Sequence, residues 1–135
     1  MDPSLARQDG GGFAMNEFGD VIFAYSRRRA IEDGVLVDVS EWASSREMMG
    51  GFKIPVAMTA AVWALVEAPE ASHEDTRGRA HDVLWMAQLA ARGNLDTDRT
   101  AFTVLISGEE VNLVLHVGPG DDGEPVATIM LAGED

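Results

Sequence analysis

The hydrophobic pattern alternates most regularly in the last third of the chain. Apolar residues occupy every second position in two runs, Phe102 to Ser107 and Val111 to Val117. Such alternation is typical of β-strands that bury one face. Gly108-Glu109 lies between the runs and is predicted to form a tight hairpin turn. The two runs are therefore expected to pair as an antiparallel hairpin.

A third strand is predicted from Pro125 to Leu131. Its inner face is predicted to carry Val126, Thr128 and Met130. A glycine-rich acidic loop, residues 118–123, joins it to the preceding strand and is typical of a turn. The last third of the chain is thus predicted to be a three-stranded antiparallel meander.

Two longer helices are predicted in the middle of the chain, over residues of about 54–67 and 77–92. The first is apolar on nearly all sides and has Pro55 in its first turn, where no hydrogen bond is lost. The second follows Thr76, a suitable N-cap, and stops at Gly93. Its apolar residues recur at spacings of three and four, which predicts one buried stripe.

Shorter elements are predicted before these helices. Ser26 is a suitable N-cap for a helix from Arg27 to Asp33, which Gly34 would end. Val35 to Val39 alternates like a strand, and Ser40 to Phe52 is predicted to be a loop or a loose helical turn. Residues 21–25 form a short apolar run, predicted to be a strand or an extended lead-in.

Together these elements predict an α+β fold. The terminal meander, possibly widened by the strand at 35–39, is expected to pack its apolar face against the two longer helices. Residues 1–19 contain three consecutive glycines and no apolar period, so they are predicted to be a flexible arm. Residues 20–135 are predicted to form one domain.

Charge excludes several functions. The net charge of −13 argues against direct binding to nucleic acid or to an anionic membrane, because both require a basic surface. It permits binding to a basic protein surface, including one that normally holds nucleic acid. The alternative is that acidity only keeps the protein soluble. With no apolar run of membrane length and no cysteine, the chain is expected to be cytoplasmic.

The sequence offers little material for catalysis. His73, His81 and His116 lie in a linker, a helix and a strand, and no two have the helical spacing of a zinc site. The acidic loop does not match the spacing of a calcium loop, and no strained serine turn is present. We therefore expect no enzyme activity, no metal and no cofactor.

Two sets of residues are candidates for binding a partner. The first is acidic and flanks the turns of the terminal sheet: Glu109, Glu110, Asp121, Asp122 and Glu124. The second is Trp42, which lies near Met48 and Met49 in a predicted loop. An exposed tryptophan beside flexible methionines is typical of a protein-binding hot spot.

Two stretches resemble a known family. They read DVIFAYSRRRAIEDGVLVDV (Asp20 to Val39) and VGPGDDGEPVATIMLAGED (Val117 to Asp135), with PVAMTAAVW and DVLWMA between them. The chain resembles a family of short uncharacterised proteins carried on bacterial plasmids and other mobile elements. No catalytic residue follows from the resemblance. It implies a setting of accessory genes, among which acidic inhibitors of CRISPR and restriction systems are common.

The resulting hypothesis is a non-enzymatic, acidic inhibitor of anti-CRISPR or anti-restriction type. It would imitate nucleic acid and bind a basic surface of a host defence complex. The alternatives are an accessory interaction or structural protein that binds through a hydrophobic patch around Trp42, and a small enzyme. An enzyme would require a pocket with convergent polar groups, for which the only candidates are His81, Asp82 and Arg27 to Arg29.

Overall fold

The structure is a computed structural model that describes residues 26–45, 51–67, 73–93 and 97–134. Within these ranges the chain forms four helices and one five-stranded sheet. The helices are α1 (Arg27–Glu32), α2 (Ser40–Ala43), α3 (Ala60–Val66) and α4 (His73–Gly93). The strands are β1 (Leu36–Asp38), β2 (Val56–Thr59), β3 (Arg99–Ile106), β4 (Glu109–Pro119) and β5 (Pro125–Leu131). The predicted α+β class is confirmed.

The sheet has the order β1-β2-β5-β4-β3, and only the β2–β5 pair is parallel. The predicted terminal meander is β3, β4 and β5. Its hairpin turn, however, is Ser107-Gly108 and not Gly108-Glu109, because Glu109 already pairs with Ile106. Ser107 and Gly108 have φ angles of 55° and 83°, as a two-residue type I′ turn requires.

The predicted inner face of β5 was wrong. Leu131 pairs with Leu113 and Ile129 pairs with Leu115, so Ala127, Ile129 and Leu131 face the core. Val126, Thr128 and Met130 lie on the opposite face. Val126 and Ala127 are both buried, so the strand is covered near its start on both sides and a count by twos could not separate the faces.

The predicted helix at about 54–67 was wrong over its first part, which is strand β2. Val56, Ala57 and Met58 are fully buried, because β2 lies between β1 and β5. The helix begins only at Ala60. The Thr59 side chain caps it by accepting a hydrogen bond from the Val62 backbone N–H at 3.3 Å.

The predictions for the earlier elements agree well with the structure. Ser26 caps α1 by accepting a hydrogen bond from Arg29 N, and Gly34 follows the helix with φ of 80°. The strand predicted at 35–39 is β1, an edge of the sheet, and α2 is a single helical turn. α4 begins at His73, before the predicted cap. Met48, Met49 and the segments predicted at 1–19 and 21–25 lie outside the described residues.

The core fills one face of the sheet. α3 and α4 cover this face and bury Val62, Val66 and Leu84 against it. α1 lies against the opposite face, where the Arg27 guanidinium reaches Thr128. The edge at β1 is where α2, α3 and the first turns of α4 come together.

Candidate functional site

The five predicted acidic residues lie at opposite ends of the sheet. Glu109 and Glu110 begin β4, whereas Asp121, Asp122 and Glu124 follow its other end. An eleven-residue strand at about 3.4 Å per residue separates the two groups by roughly 35 Å. Duplex DNA carries about one charge per 1.7 Å of axis, so about twenty charges would occupy that length. These five carboxylates therefore do not form one continuous series of charges.

Asp121 holds α1 in place. Its carboxylate accepts hydrogen bonds from the backbone N–H groups of Arg27 (2.7 Å) and Arg28 (3.0 Å). Two opposing effects act on the pKa of Asp121. Partial burial acts to raise it. The hydrogen bonds from Arg28 and Arg27, with the charges of both side chains, outweigh it and lower the pKa below its ordinary value. Asp121 thus has a structural role.

The Arg27 side chain completes this attachment. Its guanidinium donates from Nη1 to Thr128 Oγ1 at 2.8 Å and from Nη2 to the Ala127 carbonyl at 2.7 Å. Burial lowers the pKa of Arg27, and the carboxylates of Asp38, Asp121 and Glu124 act in the opposite sense. An arginine remains charged throughout the physiological range. The acidic loop and Arg27 together join α1 to β5.

The rest of the acidic loop is organised internally. Glu124 Oε1 accepts a hydrogen bond from the Asp122 backbone N–H at 3.0 Å. Its backbone carbonyl accepts one from Gly120 N at 2.6 Å. At the other end of the sheet, Glu109 and Glu110 are exposed and form no ion pair within the described part of the chain. This hairpin pair and the exposed Asp122 are the parts of the predicted acidic site that are available to a partner.

A groove opens at the β1 edge of the sheet. It has a volume of about 830 Å³ and is open to solvent. β1, α2, α3 and α4 all contribute to its lining, which consists of Val37, Asp38, Val39, Glu41, Trp42, Ser45, Trp63 and Arg77. A groove lined by two tryptophans and two acidic residues is suited to binding a protein segment.

Trp42 is half-buried in this groove and packs against the core. The Arg77 guanidinium carbon lies 5.6 Å from the centroid of its ring, which is a cation–π distance. The prediction that Trp42 binds a partner remains a prediction. The structure places it at the junction of α2 with the core rather than on a fully exposed loop.

Two residues that line the groove have buried polar groups without partners. Trp42 Nε1 and Ser45 Oγ are both buried, and neither has a hydrogen-bond partner. A buried donor without an acceptor costs about 1–3 kcal/mol. An indole N–H can only donate, so it needs an acceptor such as a carbonyl oxygen. Trp42 Nε1 therefore lacks an acceptor and Ser45 Oγ lacks a hydrogen-bond partner.

Most of the groove residues were not predicted. Asp38, Ser45 and Arg77 carry no local signal, because they belong to three separate segments that only the tertiary fold brings together. Trp63 was placed on a buried helix, and the structure gives it one side against the groove. Trp42 was the only member with a sequence signal.

His81 and His116, the two histidines whose side chains the structure describes, do not come together at a site. His81 Nδ1 lies 3.3 Å from Asp82 Oδ1, and its ring stacks on Trp85 with centroids 6.2 Å apart. His116 pairs with Thr128 across the sheet, away from His81. Among the described residues, no three metal-binding side chains are close enough to hold an ion. None of the described helices has both the length and the apolar character to cross a membrane.

Comparison with known proteins gives a match to a protein family. A family model described as a family of unknown function (DUF6573) matches residues 14–135. The match covers most of the chain and begins within the segment predicted to be an arm. No curated protein and no solved structure matches.

Proposed function

The chain belongs to this family of unknown function, and we propose that it is a non-enzymatic protein that binds a basic surface of another protein. The groove between Trp42 and Trp63 supplies the specific contact. The net charge of −13 attracts the partner over a longer range. The observation that carries the proposal is that Trp42 lines the groove and has a buried indole N–H without a hydrogen-bond partner.

The groove suits a cationic side chain. Asp38 and Glu41 are among its lining residues, together with Trp42 and Trp63. The Asp38 carboxylate already accepts hydrogen bonds from Ser40 N at 3.0 Å and Ser40 Oγ at 2.6 Å, so Glu41 supplies the carboxylate for a partner. A lysine or arginine can lay its aliphatic stem along an aromatic ring while its charged end pairs with a carboxylate. The Arg77 guanidinium above Trp42 is an intramolecular example of that contact.

The unpartnered groups favour an extended protein segment as the ligand. A backbone carbonyl of the partner would accept a hydrogen bond from Trp42 Nε1, and another polar group would bind Ser45 Oγ. Binding would then remove a desolvation cost of about 1–3 kcal/mol for each group. A tryptophan that gains such a bond in a desolvated pocket is typical of a hot spot.

Charge also favours a class of partner. Proteins that hold nucleic acid present the strongly basic surfaces that a chain of charge −13 would bind. The resemblance to proteins of mobile elements supports a host defence complex as the target. We therefore include inhibition of anti-CRISPR or anti-restriction type in the proposal, with Glu109 and Glu110 as a second contact.

The test begins with capture of bacterial proteins on the immobilised full chain at low and at high salt. Each captured protein is purified, and its affinity is measured for wild type, Trp42→Phe and Trp85→Phe. Trp42→Phe keeps an aromatic ring but loses the indole N–H, so we expect about tenfold weaker binding. Trp85→Phe is the matched control, because Trp85 packs on the same core outside the groove. Equal affinity of wild type and Trp42→Phe would reject the groove.

The charge contribution is tested with two double variants of equal net charge. Glu109→Gln with Glu110→Gln neutralises the hairpin pair, and Glu32→Gln with Glu67→Gln neutralises two exposed acids elsewhere. We expect the hairpin variant to bind more weakly than its control, most clearly at low salt. Duplex DNA should compete with the protein for its partner. If the partner binds duplex DNA and this protein at the same time, the inhibitor role is contradicted.

A further inference from the structure

The second edge of the sheet, strand β3, has a row of backbone groups that face away from β4. The two-residue turn makes Ile106 and Glu109 the closing pair, so every second residue before Ile106 bonds to β4. The hydrogen bond from Val117 N to the Asp98 carbonyl follows the same alternation, because Asp98 lies an even number of residues before Ile106. The N–H and C=O groups of Ala101, Thr103 and Leu105 therefore point outward from the sheet.

Within the residues that the structure describes, this edge lacks the features that usually protect an edge strand. β3 is eight residues long and contains no proline, no lysine and no acidic residue. Its only charged residue is Arg99, at its start. Leu105 is 62 % exposed, the most of any large apolar residue in the described part of the chain. A long, apolar, unprotected edge is a template for pairing with another strand.

We propose that β3 pairs antiparallel with β3 of a second copy of this chain, about a two-fold axis at Thr103. Residues that face each other across an antiparallel pair lie on the same side of the sheet. With the axis at Thr103, this residue pairs with its own counterpart and Leu105 pairs with Ala101 of the second copy. Each pair supplies two backbone hydrogen bonds, and each exposed leucine is covered by the other copy.

Charge supports a second copy at this edge more than elsewhere. Two chains of charge −13 repel each other, so they can meet only where acidic residues are sparse, and β3 has none. In the proposed pairing, Arg99 lies on the same face as Glu110 of the second copy. Asp98 approaches Glu109 of that copy on the other face. The repulsion between these two carboxylates offsets the attraction between Arg99 and Glu110. Backbone pairing and Leu105 thus provide the association.

The salt dependence separates this dimer from the proposed partner binding. Salt screens the repulsion between two acidic chains, so the dimer should become stronger as salt increases. Binding to a basic partner should instead become weaker. The dimer uses β3 and the groove lies at the β1 edge, so partner binding through the groove and dimer formation can be tested independently with Trp42→Phe and Leu105→Glu.

The test is the mass of the full chain in solution, measured by analytical ultracentrifugation over a range of concentrations and salt. Wild type should reach twice the chain mass of 14.5 kDa, at lower concentration when salt is high. Ala101→Pro removes an outward N–H that makes no bond to β4, and should remain at the single-chain mass. Ala101→Ser keeps this N–H and should dimerise like wild type.

Leu105→Glu is a second test variant, used in case Ala101→Pro does not fold. Leu105 is exposed, so the change should leave the fold intact, as circular dichroism can verify. It adds an acid to the pairing edge and should also give the single-chain mass. Two results would overturn the proposal: a wild type that keeps the single-chain mass at every concentration and salt, or folded Leu105→Glu that dimerises as well as wild type.

Discussion

Asp121→Ala is expected to loosen α1 without disturbing the core. The change removes the acceptor of two backbone hydrogen bonds, from Arg27 and Arg28, in the first turn of the helix. Loss of an N-terminal cap costs about 0.5–2 kcal/mol. Asp121 is exposed and Ser26 still caps Arg29 N, so we expect about 1 kcal/mol. For a domain of this size, that lowers Tm by about 4 °C.

Two measurements check this expectation. Thermal unfolding by circular dichroism gives the Tm change. Hydrogen exchange reports whether the Arg27 and Arg28 amides lose protection while core amides such as Leu115 keep theirs until global unfolding. Asp122→Ala is the matched control, because its side chain lies in the same loop and does not bond to α1. If both variants unfold at the same temperature, Asp121 does not hold the helix.

The pH dependence of this variant follows from the lowered pKa of Asp121. A carboxyl group with a lowered folded-state pKa stabilises the fold fully above its ordinary pKa of 3.8. This stabilisation is lost as the pH falls through the lower, folded-state value. The Tm difference between wild type and Asp121→Ala should therefore be constant from neutral pH to about pH 4 and close below it. A difference that grows on acidification would contradict the assignment.

Two further predictions concern stability. Gln88 is buried in α4 with no partner for Nε2 or Oε1, so Gln88→Met should raise the free energy of unfolding by about 1–2 kcal/mol; urea unfolding with a lower midpoint than wild type would refute this. Ser107→Asn should raise Tm by a few degrees, whereas Gly108→Ala should lower it, because both positions have positive φ and Asn tolerates it better than Ala or Ser. Opposite signs in thermal unfolding would show that the turn is not type I′.

The terminal meander could be predicted because β3 is covered on one face only. Phe102, Val104 and Ile106 are buried and the residues between them are exposed, so the alternation in the sequence records the environment directly. The sequence of β2 shows no such alternation. Its run from Val56 to Met58 is buried on both faces, and a short apolar run fits a strand or a buried helix equally well. Pro55 then favoured the wrong alternative.

The groove could not be predicted because it depends on the parallel β2–β5 pair. That pair places β1 at the edge, and the short α2 then brings Trp42 under the Arg77 guanidinium and into one groove with Trp63. Residues 38 and 77 meet only in the folded chain. The separation of the acidic groups has a similar cause, because β4 is long and antiparallel to both neighbours. Composition gave the total charge but not its arrangement.

The central claim, that the Trp42 groove binds an extended basic segment, has a direct spectroscopic test. The chain has three tryptophans, so an ¹H–¹⁵N spectrum shows three indole N–H signals that substitution can assign. Basic peptides selected from a display library on the full chain are the probe. The Trp42 indole signal should shift most on titration, because it gains an acceptor, and the Trp85 signal should stay in place. An unmoved Trp42 signal with a bound peptide would contradict the account.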